Sequence, residues 1–168
     1  TASGMVRHPP QGEADPDWWR GLVGAESSLL YVMTSNDGET DLIAIKTDTG
    51  AVLARYEVAQ SYERLAVYDA NRKRIYVPIG PDHLLKVLGA PDLRPLGEII
   101  LGAEIRDIVV GMERLYVNDS AGRVHALDLA DYRLVGQVWA GRGEPMVLDE
   151  ASGRLYVPLE NAARGFAV

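Results

Sequence analysis

Short apolar segments recur along the whole chain, and glycine, asparagine, aspartate and proline separate them. The clearest segment combines an apolar residue, a tyrosine and a valine, and it occurs four times. Its tyrosines are Tyr31, Tyr76, Tyr116 and Tyr156, so the segment returns every 40–45 residues. Because side chains alternate between the two faces of a strand, we expect each tyrosine to face one side of a sheet and the following valine the other. We expect Val117 in particular to lie in the core between two repeats.

The length of the repeat predicts the fold. A period of roughly 40–45 residues built from short strands is typical of β-propeller blades, in which each blade is a four-stranded antiparallel sheet. No stretch of the chain carries the 3.6-residue periodicity of an amphipathic helix over three turns. The sequence therefore predicts an all-β protein with a β-propeller architecture.

Turn-forming residues divide the chain into a tail and four repeats. Residues 1–17 predict an extended tail or linker, or alternatively a short edge strand at 4–8 that closes a ring. Residues 18–168 predict the propeller repeats. The blades are expected at about 18–58, 62–101, 104–140 and 144–168, and the last of them lacks a fourth strand.

The repeats amount to about three and a half blades, whereas closed rings typically need about 4–8. An open arc would expose an apolar sheet face at each end, which is typical of an interface. Three arrangements are open. The chain is part of a longer propeller, or a second copy or another subunit completes the ring, or the chain closes on itself as a four-bladed ring. The expected partners are thus a protein or the remainder of the propeller, including a homo- or hetero-oligomer.

Several motifs follow the order found in a bacterial repeat family with a Tyr-Val-Thr-Asn motif. They are Tyr116-Val117-Asn118, Ala126-Leu127-Asp128, Gly136-Gln137-Val138, Gly143-Glu144-Pro145 and Gly153-Arg154-Leu155-Tyr156-Val157. The chain resembles this YVTN-type family of quinoprotein-like and WD-like β-propeller repeats over residues 18–168. Residues 45–53 also resemble the turn of quinoprotein-type repeats. The resemblance implies a bacterial propeller, but the repeat is structural and implies no particular activity.

The composition of the chain limits the kinds of partner and site that we expect. The net charge of −7 would repel nucleic acid and an anionic membrane surface, so nucleic acid is not an expected partner. The chain has no cysteine, which excludes disulfides and thiolate metal sites. No apolar run approaches the roughly 18 residues of a transmembrane helix. The chain begins at Thr1 rather than at Met, which suggests a removed leader or a piece of a longer chain; a native start at Met5 is a further alternative. We expect an extracellular or periplasmic location.

Charged and amide residues recur in the loops that would gather on one face of the ring, near its axis. A ring of carboxylates and amides could bind Ca²⁺ through oxygen ligands. Alternatively, the acids and arginines pair across blades and line a solvated tunnel, which is the favoured interpretation. Asp119 is expected on an exposed, ligand-facing loop. The candidate ligand-binding residues are Glu63, Arg64, Glu104, Arg106, Asn118, Asp119, Arg142 and Glu144, and the metal candidates among them are Glu104 and Asp119.

Residues typical of catalysis are dispersed. His8, His83 and His125 share no metal-ligand spacing, and Ser120 lacks the Gly-x-Ser-x-Gly context of a hydrolase. No cofactor is predicted apart from the possible Ca²⁺. The sequence favours a non-enzymatic binding or scaffold module that engages a protein partner through its loop face or its open arc edge. The alternative is part of a propeller enzyme, either a metal-dependent lactonase-like hydrolase or a quinoprotein-type oxidoreductase, suggested by the carboxylate-rich loops and the turn at Thr49-Gly50.

Overall fold

Fifteen β-strands and no helix make up the part of the chain that the structure describes, which confirms the all-β prediction. The structure is a computed structural model that describes residues 19–26, 28–36, 39–58, 66–80, 82–141, 145–158 and 166–167. The predicted tail at 1–17 lies outside these ranges. The strands are β1 (Trp19–Glu26), β2 (Leu29–Asn36), β3 (Glu39–Lys46), β4 (Val52–Val58), β5 (Val67–Asp69), β6 (Arg74–Ile79), β7 (Leu84–Gly89), β8 (Pro95–Ile100), β9 (Ile105–Val110), β10 (Arg114–Asp119), β11 (Arg123–Asp128), β12 (Leu134–Trp139), β13 (Val147–Asp149), β14 (Arg154–Val157) and β15 (Phe166–Ala167).

The strands form four antiparallel sheets, each built in chain order. Sheet 1 contains β1 to β4, sheet 2 contains β5 to β8, sheet 3 contains β9 to β12, and sheet 4 contains β13 to β15. Carboxylates stabilise two of the connecting turns. Asp69 accepts the backbone N–H groups of Asn71 and Arg72, both at 3.0 Å, and Asp149 does the same for residues 151–152 at 3.1 and 3.2 Å. Sheets 2 and 4 therefore start with the same kind of Asx turn.

The repeated tyrosine and valine face opposite sides of each sheet, as predicted. Tyr31 packs with Val77 in the core between sheets 1 and 2, and Tyr76 packs with Val117 between sheets 2 and 3. All four side chains are fully buried. Each sheet thus presents its tyrosine to the next sheet and its valine to the preceding one. The expectation that Val117 lies in an inter-blade core is confirmed.

The cores lie between consecutive sheets, so the sheets follow one another in an arc. The innermost strands β1, β5 and β9 contact one another in that order. β13 continues the series, because Leu148 lies so close to Gly111 that an added Cβ would come within 2.7 Å of the leucine Cδ2. Four-stranded antiparallel sheets stacked around a line of inner strands are the β-propeller arrangement, here with three strands described in the fourth blade.

Polar contacts bridge the sheets beside these cores. The Tyr68 hydroxyl of sheet 2 donates to Glu26 of sheet 1 at 2.7 Å. The Arg74 guanidinium of sheet 2 donates to the Tyr132 hydroxyl of sheet 3 at 2.6 Å. Asp107 supplies the corresponding contact between sheets 3 and 4, described below. Each bridge satisfies polar groups at the edge of a core, where leaving them unpaired would cost about 1–3 kcal/mol.

A candidate protein-binding groove

A shared irregularity aligns the outer strands of sheets 1 to 3. In each sheet the pairing between the third and fourth strands shifts register after an equivalent residue. These reference residues are Ala44, Val87 and Ala126. In each outer strand, the residue two positions after the partner of the reference residue faces the next sheet. These equivalent residues are Tyr56, Ile99 and Val138.

These equivalent positions differ in burial. Tyr56 packs against the core between sheets 1 and 2. Ile99 belongs to the core between sheets 2 and 3, and only 6% of it is exposed. Val138 is 46% exposed. Ile99 shares its core with Leu127 and Leu129, at the end of the third strand of sheet 3. In sheet 4 the third strand, β15, pairs with β14 through only two residue pairs, and within the described ranges no counterpart of these leucines covers Val138.

An apolar groove of about 340 Å³ therefore opens between sheets 3 and 4. Its lining comes from β10, β11, β12 and β14 and includes Tyr116, Val124, Ala126, Val138, Leu155 and Val157. Tyr116 is only partly buried, whereas its equivalents Tyr31 and Tyr76 are fully buried. A concave apolar site of this size can take the side chains of an inserted peptide.

The far face of sheet 4 is also apolar and uncovered. Val147 and Tyr156 are paired across β13 and β14, and they are 57% and 37% exposed. Tyr156 is the fourth copy of the repeated tyrosine, which faces the next sheet in the other repeats. The groove and this face together are called the open arc edge below. Exposed apolar surface of this kind, on the two sides of sheet 4, marks an interaction site.

Asp107 connects sheet 3 to the entry of sheet 4. Its carboxylate accepts the backbone N–H of Met146 and, at 2.9 Å, that of Ile108. Burial raises the pKa of Asp107, although these two backbone groups act in the opposite direction. The sequence pattern pointed to the neighbouring Arg106 and not to Asp107. A signal for Asp107 was nevertheless present, because it lies two residues before Val109 in β9 and so occupies a face of the strand where an apolar core residue is expected.

The structure brings four of the eight predicted ligand-binding residues to one end of sheet 3. The Glu104 carboxylate pairs with Arg106 at 3.3 Å, and the Glu104 carbonyl accepts the Ser120 N–H at 2.8 Å. Asn118 and Asp119 end the neighbouring strand β10. The other four lie outside the described residues: Glu63, Arg64, Arg142 and Glu144.

The expectation that Asp119 lies on an exposed loop is wrong, because its side chain is buried at the end of β10. One carboxylate oxygen accepts the backbone N–H groups of Ala121 and Arg123, both at 2.9 Å. The other accepts Arg123 Nε at 3.0 Å and His125 Nε2 at 2.9 Å. Burial alone would raise the pKa of Asp119, but the bonds from Arg123 and His125 outweigh it and lower this pKa. A ligand-binding role for Asp119 stays a prediction.

His125 extends this network to the outer strand. His125 Nε2 lies 2.9 Å from the Asp119 carboxylate, and His125 Nδ1 lies 3.4 Å from the Gln137 side-chain amide nitrogen. The residues equivalent to Gln137 on the first two outer strands are Arg55, which pairs with Asp41 at 2.7 Å, and Glu98, which pairs with Lys86. Sheet 3 thus carries an uncharged residue where the other outer strands carry a charge.

A second, polar cavity of about 380 Å³ lies among the first hairpins of sheets 2, 3 and 4. Asp69, Asn71, Gly111 and Glu150 contribute to its lining. The Asp69 carboxylate is already engaged by its own turn. Across the described part of the chain, no three His, Cys, Asp or Glu side chains gather where they could hold a metal ion. Nor does that part contain a helix long and apolar enough to span a membrane.

Solved structures share this architecture. BamB from Moraxella catarrhalis matches with a TM-score of 0.59 and 18% identity, covering 88% of this chain and 51% of that one. A protein of unknown function from Bacteroides caccae matches with a TM-score of 0.59 and 14% identity, covering 80% of this chain and 54% of that one. No family model and no curated protein matches the chain. The chain spans about half the length of the two structures that it resembles. At these identities the likeness shows only the fold, which is a β-propeller arc.

Proposed function

We propose that this chain is a non-enzymatic binding or scaffold module of the β-propeller type, which engages a protein partner through its open arc edge. The observation that carries the proposal is the exposure of Val138, whose equivalent Ile99 is buried by the next sheet. A partner that inserts apolar side chains into the groove would supply the burial that sheet 4 does not.

The chemistry of the open arc edge suits a protein partner. Tyr116 and Tyr156 offer large, partly exposed aromatic surfaces, and tyrosine is enriched in protein interfaces. Val138 and Leu155 add aliphatic contact within the same groove. Burying roughly 100 Å² of apolar surface contributes about 2.5 kcal/mol, so a few inserted side chains can drive specific binding.

Two finer features belong to the same proposal. Membership of the YVTN repeat family is supported by the order of the motifs from Tyr116 to Val157. An extracellular or periplasmic location is suggested by the resemblance to these bacterial repeats. The loop face, with Arg106 exposed and Glu104 partly exposed at one end of sheet 3, is a second candidate surface. A Ca²⁺ site at Glu104 and Asp119 would require the Asp119 oxygens to leave their bonds to Arg123 and His125.

Affinity capture from an extract of the native source tests the role. Two baits are compared with the parent chain: Val138→Lys in the groove, and Leu53→Lys on β4 as a matched control, since Leu53 is similarly exposed on another outer strand. We expect the parent and the control to retain the same protein partner and Val138→Lys to lose it. The purified partner should then bind the parent saturably in calorimetry.

Two results would contradict the proposal. One is capture that is equal for the groove variant and the parent, because the partner would then not use the open arc edge. The other is the recovery of no protein together with robust turnover of a small molecule, which would favour the enzyme alternative.

A further inference from the structure

The outer edge of sheet 3 lacks the charges found on the other outer strands. β4 carries Arg55 and Glu57, and β8 starts with Pro95 and carries Glu98. β12 reads Leu-Val-Gly-Gln-Val-Trp, has no charged side chain, and is exposed at every residue. Charged residues and proline protect an edge strand from pairing with another strand. Among the three outer strands, β12 is therefore the unprotected edge.

The backbone of β12 offers unpaired groups along this edge. The Ala140 N–H donates to the Gly122 carbonyl of the preceding hairpin at 2.9 Å. Because successive residues of a strand direct their backbone groups to opposite sides, this bond shows which residues of β12 face β11 and which face away. Gln137 and Trp139 then direct their N–H and C=O groups away from β11. β12 ends the strand order of sheet 3, so no described strand pairs with these groups.

We propose that β12 pairs with the β12 strand of a second copy of this chain, antiparallel and around a two-fold axis. In the register centred on Gln137, this residue lies opposite Gln137 of the second copy. Gly136 lies opposite Val138 of the second copy, and Val135 lies opposite Trp139. Apolar side chains meet apolar side chains, the valine fills the space beside a glycine, and no charges come together.

Charge favours a second copy at β12 over the outer strands β4 and β8, which carry charged residues. Two copies carrying −7 each repel overall, so they approach most easily where both surfaces are uncharged. An isologous strand pair uses each β12 once, so the assembly closes as a dimer. A pair of six-residue strands covers less than the roughly 1,000 Å² typical of stable complexes, so the dimer is weak and reversible.

Pairing through β12 and partner binding in the groove share this strand, since Gly136, Gln137 and Val138 also line the groove, but the two proposals use different sides of it. The new backbone bonds lie at the outer edge of the strand, whereas the groove lies on the face of sheet 3 that is turned toward sheet 4. Failure of one proposal therefore leaves the other standing.

Sedimentation velocity on the full chain, at concentrations from about 1 μM to about 500 μM, tests the proposal. We expect a dimer that grows with concentration, and also with added salt, because salt screens the repulsion between the acidic copies. Gln137→Lys and Gln137→Glu should each raise the dissociation constant at least about tenfold, because like charges then meet at the two-fold axis. An equimolar mixture of the two variants should form a heterodimer, because opposite charges then meet.

Leu53→Lys is the control, because it places the same charge on β4 and should leave the dimer unchanged. Thermal melting of every variant checks that the fold is kept. The proposal is overturned if the parent stays monomeric over the whole range, if the Gln137 variants associate like the parent, or if mixing them restores nothing.

Discussion

A single buried carboxylate organises the hairpin between β10 and β11. Asp119 accepts four hydrogen bonds, from two backbone N–H groups and from the side chains of Arg123 and His125. The lowered pKa of Asp119 reflects this set of donors, which favours the charged carboxylate over the neutral acid. A buried charge held in this way becomes a structural requirement of its turn.

We expect Asp119→Ala to lower the free energy of unfolding by about 2–4 kcal/mol, because four donors lose their acceptor in a buried site. Denaturant unfolding followed by circular dichroism measures the loss. The control is Asp131→Ala, since the exposed Asp131 carboxylate accepts a single hydrogen bond, from the Arg133 backbone N–H at 3.0 Å, and forms a long 3.8 Å ion pair with the Arg133 side chain; it should cost less than about 1 kcal/mol. Equal unfolding of Asp119→Ala and the parent would mean that the hairpin does not need this carboxylate.

Buried tyrosine hydroxyls make the fold sensitive to alkali. Burial, and secondarily Tyr68, raises the pKa of Tyr31 to about 12. Burial followed by the Glu26 carboxylate raises the pKa of Tyr68 to about 12. A tyrosine whose folded pKa exceeds its unfolded value stabilises the fold below pH 10.0 and loses that contribution as the pH rises toward about 12.

Stability should therefore fall between about pH 10 and pH 12, and phenolate absorbance should rise together with unfolding. Thermal melting across this range gives the measurement. In Tyr68→Phe, which removes one of the tyrosines whose pKa is raised, the decline should be shallower. Phenolates that all form near pH 10 while the fold stays intact would show that these hydroxyls are not buried in solution.

At the scale of the element, the inner strands depend on close backbone approach. β1 passes directly over the Tyr68 ring of β5 at Gly24, where an added Cβ would lie 2.5 Å from Tyr68 Cβ. Tyr68 in turn stacks near Tyr31, with ring centroids 4.8 Å apart, and donates to Glu26. Sheets 1 and 2 are thus held together at one position where only glycine fits.

Gly24→Ala should cost about 1–3 kcal/mol of stability, because the new methyl group forces β1 and β5 apart. Gly97→Ala on β8 is the matched control, because no atom lies within 4 Å of the position of its Cβ. The control should be neutral or stabilise by up to about 1 kcal/mol, since alanine restricts the unfolded chain. Chemical denaturation of both variants decides between these outcomes, and equal effects would contradict the close approach.

At the scale of the whole molecule, the sheets form an arc whose interfaces become less complete along the chain. The repeated tyrosine is fully buried in sheets 1 and 2, partly buried in sheet 3, and 37% exposed in sheet 4. The arc spans about half the length of the propellers it resembles. The exposure of the repeated tyrosine therefore increases toward the end of the arc where the proposed partner would bind.

Two aspartate substitutions at equivalent positions test how open this end is. Ile99→Asp should destabilise the fold by about 3–5 kcal/mol, because it buries an unpaired carboxylate. Val138→Asp should cost less than about 1 kcal/mol, because the new carboxylate stays in water. Thermal melting at matched concentration compares the two. A severe loss in Val138→Asp would mean that the groove is filled in solution.

The sequence alone determined the strands, their grouping into sheets and the direction of the repeated side chains. Alternation along a strand is a local property, so Tyr76 and Val77 point to opposite faces whatever lies beyond them. The period from Tyr76 to Tyr116 likewise implies one sheet per repeat. These features need only the residues of one repeat, and they were predicted without knowledge of its neighbours.

Only the tertiary structure decided which of the equivalent residues are buried and which chemistry is available. Ile99 and Val138 occupy the same place in similar strands, yet only Ile99 lies in a core, together with Leu127 and Leu129 of the next sheet. Asp119 reads as a loop residue in the sequence, but its four donors enclose it at the end of β10. Burial depends on what another sheet places across the interface, and that information is not contained in the local pattern of a strand.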